Sequence, residues 1–149
     1  MAWRLKLFLI DTNIWLEQLL NQERSLEVTE FLSIVPSNYL YITDFSFHSI
    51  GVIASRLNRI DIFRKFVHDT FIDGSVGLMT LLPSHMENLL TYMEIYQLDF
   101  DDAYQLTVMK DYGLILVSFD HDFDRTTEGR ITPADALQVF HTKMNGKLS

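Results

Sequence analysis

The sequence has no cysteine, only 3 prolines and 6 glycines among 149 residues, and no long apolar run. Each shortage excludes something. Without cysteine there is no disulfide framework, no thiolate metal site and no cysteine nucleophile, so any metal must be held by oxygen or imidazole. So little proline and glycine argues against a collagen-like repeat or a linker-rich chain, and 11 Phe, 6 Tyr and 2 Trp argue against disorder. The apolar run Leu7-Phe8-Leu9-Ile10 stops at Asp11, short of the roughly 7 to 15 residues of a signal-peptide core. No later segment approaches the ~18 apolar residues of a membrane span, so a cytoplasmic protein is expected. Base is scarce as well: 12 Lys and Arg stand against 20 Asp and Glu, a net charge of -8. A protein that gripped nucleic acid mainly by neutralising phosphates would be basic, so a nucleic-acid role here requires a local basic surface or bound cations.

What the chain does have is apolar side chain, 48% of its residues, enough for one core in one domain spanning residues 1–149. Residues 5–10 read as a strand buried on both faces. Ile14, Trp15, Leu19 and Leu20 then recur at helical spacing, and a second helix over 25–35 ends at Pro36. Residues 39–43 form a second predicted strand, Asp44 a helix cap, and 45–57 and 61–71 two helices. Asp73-Gly74 turns into a third strand over 76–81. Pro83 opens a helix ending near Gln97. A further helix over 100–112 is closed by Gly113, 114–117 is a fourth strand, and Pro133 opens the last helix. Strands alternating with helices predict an α/β fold, a mostly parallel sheet covered on both faces by helices, that is, a three-layer α/β/α sandwich. In such sheets the functional crevice lies beyond the carboxyl ends of the strands.

Asp11 ends the first strand and Asp120 follows the fourth, so this topology brings both to one rim of the sheet. Residues 99–124 hold seven of the 20 acidic side chains with Lys110 as the only base. Repulsion among carboxylates gathered at one rim favours a divalent cation, and all-oxygen ligation suits Mg²⁺ or Mn²⁺. Plainer roles compete. Asp99 reads as a helix N-cap and Asp101 as a solvated first-turn residue, while Asp102 either completes a capping box or belongs to the site. Asp11, a carboxylate ending an apolar central strand, is either bonded to its loop or a site residue, and the site is the favoured reading. Asp120-His121-Asp122-Phe123-Asp124 is no calcium loop, because Arg125 stands where glycine is needed and Ile131 where the bidentate Glu belongs. Asp11-Thr12-Asn13 lacks the second aspartate of a phosphoaspartate phosphatase.

Phe8-Leu9-Ile10-Asp11-Thr12-Asn13, Asp102-Ala103 and Val117-Ser118-Phe119-Asp120-His121-Asp122-Phe123 together resemble the PIN domain, in particular the short VapC-type toxins. The resemblance extends over nearly the whole chain. It implies a PIN-like fold and a metal-dependent ribonuclease in which Asp11, Asp102 and Asp120 hold Mg²⁺ or Mn²⁺ and orient water on the scissile phosphate, leaving a 5′-phosphate and a 3′-hydroxyl. It also implies Thr12, Asn13 and Ser118 as supporting groups, Asp122 as an accessory acid, RNA as substrate, an antitoxin partner and a homodimer. One departure stands out: the family's glutamate in the helix after the second strand falls on Ser49, beside His48. Either Asp44, about one turn earlier, or His48 takes its place, or the chain is a catalytically weakened module that binds RNA or protein. Asp44 as an N-cap and His48 as a packed histidine are the plainer alternatives. Arg56, Arg59, Arg64 and Lys65 put four of the 12 basic residues within ten positions, either as phosphate contacts or as an ordinary solvated helix face.

Overall fold

The computed structural model describes residues 7–148. In chain order its elements are β1 (Phe8–Ile10), α1 (Thr12–Leu19), α2 (Ser25–Ile34), β2 (Leu40–Thr43), α3 (Asp44–Arg56), α4 (Ile60–Val67), β3 (Gly77–Met79), α5 (Met86–Tyr96), α6 (Phe100–Tyr112), β4 (Ile115–Val117) and α7 (Pro133–Leu148). The four strands lie in the order β3-β2-β1-β4, and every pairing is parallel. This is the predicted α/β/α architecture. Parallel neighbours need crossovers, and the helices supply them while covering both faces of the sheet.

Alternation along the strands divides the apolar side chains between two cores. Phe8, Ile10, Leu40, Ile42 and Val117 point to one face, where they meet Ile14 and Trp15 of α1, Val28 and Phe31 of α2, Ile50 of α3, Phe66 of α4 and Phe140 of α7. Leu9, Tyr41 and Leu116 point to the other, against Leu89 of α5 and Ala103, Leu106 and Met109 of α6. A residue such as Phe8 or Leu9, with no exposed surface, contributes about 1.5–3 kcal/mol by its burial. Helix α6 is enclosed on all sides, since each residue from Asp102 to Met109 is buried. Geometry requires glycine at several positions, Gly113 and Gly77 among them. Gly113 ends α6 with φ +65°, the left-handed conformation that glycine adopts without penalty. A Cβ on Gly77 would sit 2.5 Å from the Tyr41 ring on the neighbouring strand.

Several boundaries differ from those read in the sequence. Of the predicted first strand, residues 5 and 6 lie outside the described residues and the ladder starts at Phe8. Thr43, not Asp44, caps α3, because the Thr43 hydroxyl accepts from the Ser46 amide at 3.0 Å and Asp44 is the first residue inside the helix. The helix predicted over 61–71 is α-helical to Val67 and then widens into a π-turn over His68–Ile72. The third strand is shorter than predicted, and a 3-10 turn, Ser37–Tyr39, precedes β2. After β4, Ile131 bridges to Val117 and prolongs the sheet edge. No helix among the described residues is long and apolar enough to cross a membrane.

Candidate metal centre

The parallel pairing of Ile10 with Val117 sets the ends of β1 and β4 side by side. Asp11 follows the first and Ser118-Phe119-Asp120 the second. The first turn of α6 completes the rim: the Asp99 carboxylate accepts from the Asp102 amide at 3.0 Å, the predicted N-cap, and this bond orients the turn that carries Asp102. The result is a pocket of about 310 Å³ lined by Asp11, Thr12, Asn13, Leu16, Phe45, Ser49, Ile53, Asp101, Asp102, Gln105 and Asp120.

Asp11 is held from four sides. Its Oδ1 accepts from the Thr12 amide and from Gln105 Nε2, both at 2.8 Å. Its Oδ2 accepts from the Ser118 hydroxyl at 2.7 Å and Asn13 Nδ2 at 3.3 Å. Burial is the largest influence on this carboxyl and raises its pKa. The bonds from Ser118, Gln105 and Thr12 oppose that rise, and the charge of Asp120 adds to it. Around this anchor, Asn13 donates to Ser118 Oγ at 3.2 Å and accepts from the Phe119 amide, and Ser118 Oγ accepts from the Asp120 amide at 3.0 Å. Asn13 and Ser118 thus tie the β1 and β4 loops into one unit, while the Thr12 hydroxyl donates to Ser46 Oγ on α3 at 2.7 Å.

Asp102 has no such partners: no hydrogen bond from a described residue reaches its carboxylate. Burial, followed by the charges of Asp120, Asp99, Asp11 and Asp122, pushes its pKa up to about 8. Ligand oxygens of Asp102, Asp120 and Asp122 all lie within 4.8 Å of one another. Asp122 is drawn in by the 3-10 turn His121–Arg125, capped by the Asp120 carboxylate, which accepts from the Asp122 amide at 2.8 Å. Arg125 partly balances the cluster through a 2.9 Å contact with Asp122. Arg130, bonded to Asp124 and to the Ser118 carbonyl, steadies the loop from outside. A buried carboxylate raised this far, beside two others and with no donor of its own, fits a small oxygen-ligated divalent cation.

The other sequence-predicted residues are distributed as follows. Ser49 lines the acidic pocket, whereas His48 lines only the adjoining apolar groove, with Arg56 and Val52. Asp44 does not line the pocket: it accepts from the Tyr104 hydroxyl at 2.7 Å, the Thr80 hydroxyl at 2.7 Å and the Phe45 amide at 2.8 Å. Its role here is to fasten α3 to α6 and to the end of β3. Of the basic run, Arg59 is paired with Asp61 and Lys65 with Asp69, both on the surface. Arg64 lines a groove between α3 and α4, away from the carboxylates. Gln105 and Ser46 were not picked out from the sequence. The available signal was spacing, since Gln105 lies three residues beyond Asp102 and therefore on its face of α6.

Comparison with known proteins agrees with this fold. A family model described as PIN domain matches residues 8–129. No curated protein matches the chain at a significant level. Among solved structures, a toxin-antitoxin complex from Klebsiella pneumoniae is similar, with TM-score 0.67 and 21% identity over 84% of this chain and 96% of that one. VapC20 of Mycobacterium tuberculosis, described as a sarcin-ricin-loop-cleaving toxin, superposes with TM-score 0.71 and 14% identity over 85% and 99%. FitAcB of Neisseria gonorrhoeae gives 0.66 and 14% over 85% and 98%. At these identities the structural likeness is one of fold, but the family model spans most of the sequence, and the chain belongs to the PIN domain family.

Proposed function

We propose that this protein is a metal-dependent endoribonuclease that hydrolyses RNA phosphodiester bonds, with Mg²⁺ or Mn²⁺ as its cation, and that it is the toxin of a toxin-antitoxin pair. The observation that carries the reading is the gathering of Asp102, Asp120 and Asp122 within 4.8 Å, at a pocket that Asp11 also lines. The toxin assignment draws on the similar structures, one a toxin-antitoxin complex and another a toxin that cleaves the sarcin-ricin loop. An antitoxin protein is the corresponding partner.

Asp102, Asp120 and Asp122 would hold the cation together with Asp11, the carboxylate whose orientation is already fixed. When bound, a divalent ion offsets charge on the scissile phosphate and lowers the pKa of water. The chain's own residues do the rest. Asp11, clamped by Ser118, Gln105 and Thr12, keeps one orientation and directs the attacking water. Asp102, ionised once its charge is offset, shares that work. No protein nucleophile is needed. The pocket is acidic, so RNA must approach with its charge met elsewhere, and Arg56, a predicted phosphate contact, lines a groove that shares Phe45, Ser49 and Ile53 with the pocket.

The test is cleavage of single-stranded RNA by the purified protein with Mn²⁺ or Mg²⁺. Turnover should be abolished by EDTA and reduced at least about a hundredfold by Asp11→Asn, which removes charge while keeping shape. RNA binding without turnover, the same in both proteins, would instead identify a binding module, the outcome that Ser49 in place of an acid on α3 makes worth testing.

A further inference from the structure

Gln105 is 3% exposed, sits on α6 one turn beyond Asp102, and lines the acidic pocket. Its Nε2 donates to Asp11 Oδ1 at 2.8 Å and to Ser46 Oγ at 2.7 Å, while its Oε1 is buried with no hydrogen-bond partner. The orientation is forced by chemistry. An ionised carboxylate only accepts, so the amide nitrogen must face Asp11 and the carbonyl is left over. A buried carbonyl without a donor is a cost that an apolar side chain of the same length would not carry. Packing therefore does not explain a glutamine at this position, and its bonds do. The Thr12 hydroxyl donates to the same Ser46 oxygen at 2.7 Å, so Gln105, Ser46 and Thr12 join α6, α3 and α1 around one oxygen of Asp11. Of the α3 residues that line this pocket, Phe45, Ser49 and Ile53, only Ser49 is polar and none is acidic, and the order of the site falls to neutral donors of this kind.

We propose that Gln105 is a positioning residue for the candidate metal centre. It fixes the Asp11 carboxylate in the orientation in which the pocket takes its cation, without touching RNA itself. The inference rests on reading the pocket as a divalent-cation site.

The experiment compares wild type with Gln105→Met, which keeps length and volume but removes the amide. Metal-free thermal unfolding, calorimetric titration with Mn²⁺ and the kinetics of RNA cleavage are measured on both. The expected result is a folded protein with a modestly lowered metal-free Tm, because the lost bonds to Asp11 and Ser46 are only partly offset by removal of the orphan carbonyl, together with a Kd for Mn²⁺ weakened by about 10- to 100-fold, the usual effect of losing a group that orients a ligand. The kcat should fall by a similar factor while KM stays the same. Ser46→Ala, which leaves the bond from Gln105 to Asp11 in place, should weaken Mn²⁺ binding by less than about tenfold. A failure to fold in Gln105→Met would overturn the proposal, since the glutamine would then be serving the core. Unchanged Mn²⁺ affinity in a folded Gln105→Met, with wild type binding normally, would overturn it while leaving the cation site intact. Absence of Mn²⁺ binding by wild type would remove the cation reading, and the role of Gln105 with it.

Discussion

The end of β1 and the first turn of α6 each carry a buried carboxylate, Asp11 at 7% exposure and Asp102 at 8%. The protein treats them in opposite ways. Asp11 accepts hydrogen bonds from Thr12, Gln105, Ser118 and Asn13, whereas Asp102 has no donor among the described residues and is surrounded by the charges of Asp120, Asp99, Asp11 and Asp122. Burial disfavours ionisation in both, but only in Asp11 do hydrogen bonds push back. The difference is instructive. One carboxylate is organised by the fold itself, and the other is left for something outside the chain to neutralise. A site built in this way is rigid on one side and under-compensated on the other, and the second condition is what draws a cation in.

The sharpest way to separate the two is to replace each by asparagine. Both variants should lose at least about a hundredfold in RNA cleavage, but their metal-free stabilities should move in opposite directions. Asp11→Asn puts an amide among four donors and should cost about 1–3 kcal/mol, because buried donors lose their acceptor. Asp102→Asn removes a charge that folding buries and should stabilise the metal-free protein at pH 8 by on the order of a few kcal/mol. Urea unfolding of the two variants beside wild type reads both effects. Equal destabilisation would mean that Asp102 has a structural partner after all.

The comparison also predicts a pH dependence. The folded pKa of Asp102 is raised from 3.8 to about 8, so between those values the native state holds more protons than the unfolded chain. Stability contributed through this group is present below about pH 4 and is lost progressively as pH rises toward about 8. Metal-free wild type should therefore lose stability over that interval relative to Asp102→Asn. Saturating Mn²⁺ should reverse the trend, because the cation binds the ionised form. A constant difference between the two proteins across the range would contradict the account.

Much of this arrangement was legible before the structure. Apolar runs ending at Asp11 and preceding Asp120 placed both residues at the same rim, Asp99 read correctly as the cap of α6, and Gly113 marked its end, because each of these signals is local. What could not be read depends on distant partners. Gln105 reaches Asp11 across 94 positions. The fate of Asp44 is decided by Tyr104 and Thr80, 60 and 36 positions away, so its place at the head of a helix does not reveal that it is tied to them. Asp122 enters the carboxylate cluster because the chain after Asp120 turns as a 3-10 helix, a geometry that the spacing alone did not specify.

Smaller effects sharpen the same contrast. Ser49→Glu should add a carboxylate to the under-compensated side of the pocket and tighten Mn²⁺ binding by roughly 1 kcal/mol or more, measurable by calorimetry. An unchanged Kd would mean that α3 lies too far from the cation for an acid to help. Asp44→Asn is expected to leave Mn²⁺ affinity unchanged and to cost about 1 kcal/mol of stability through its bonds to Tyr104 and Thr80. Combined in a double-mutant cycle, the two substitutions should then be additive in metal affinity. Coupling between them would return Asp44 to the metal centre.

The most direct test is a crystal of the wild-type protein soaked in Mn²⁺, with the ion located by its anomalous scattering. The expected peak is bounded by Asp102, Asp120 and Asp122, with Asp11 still held by Gln105 and Ser118 at its side. A peak elsewhere, or none at a Mn²⁺ concentration that supports RNA cleavage, would contradict the cation reading.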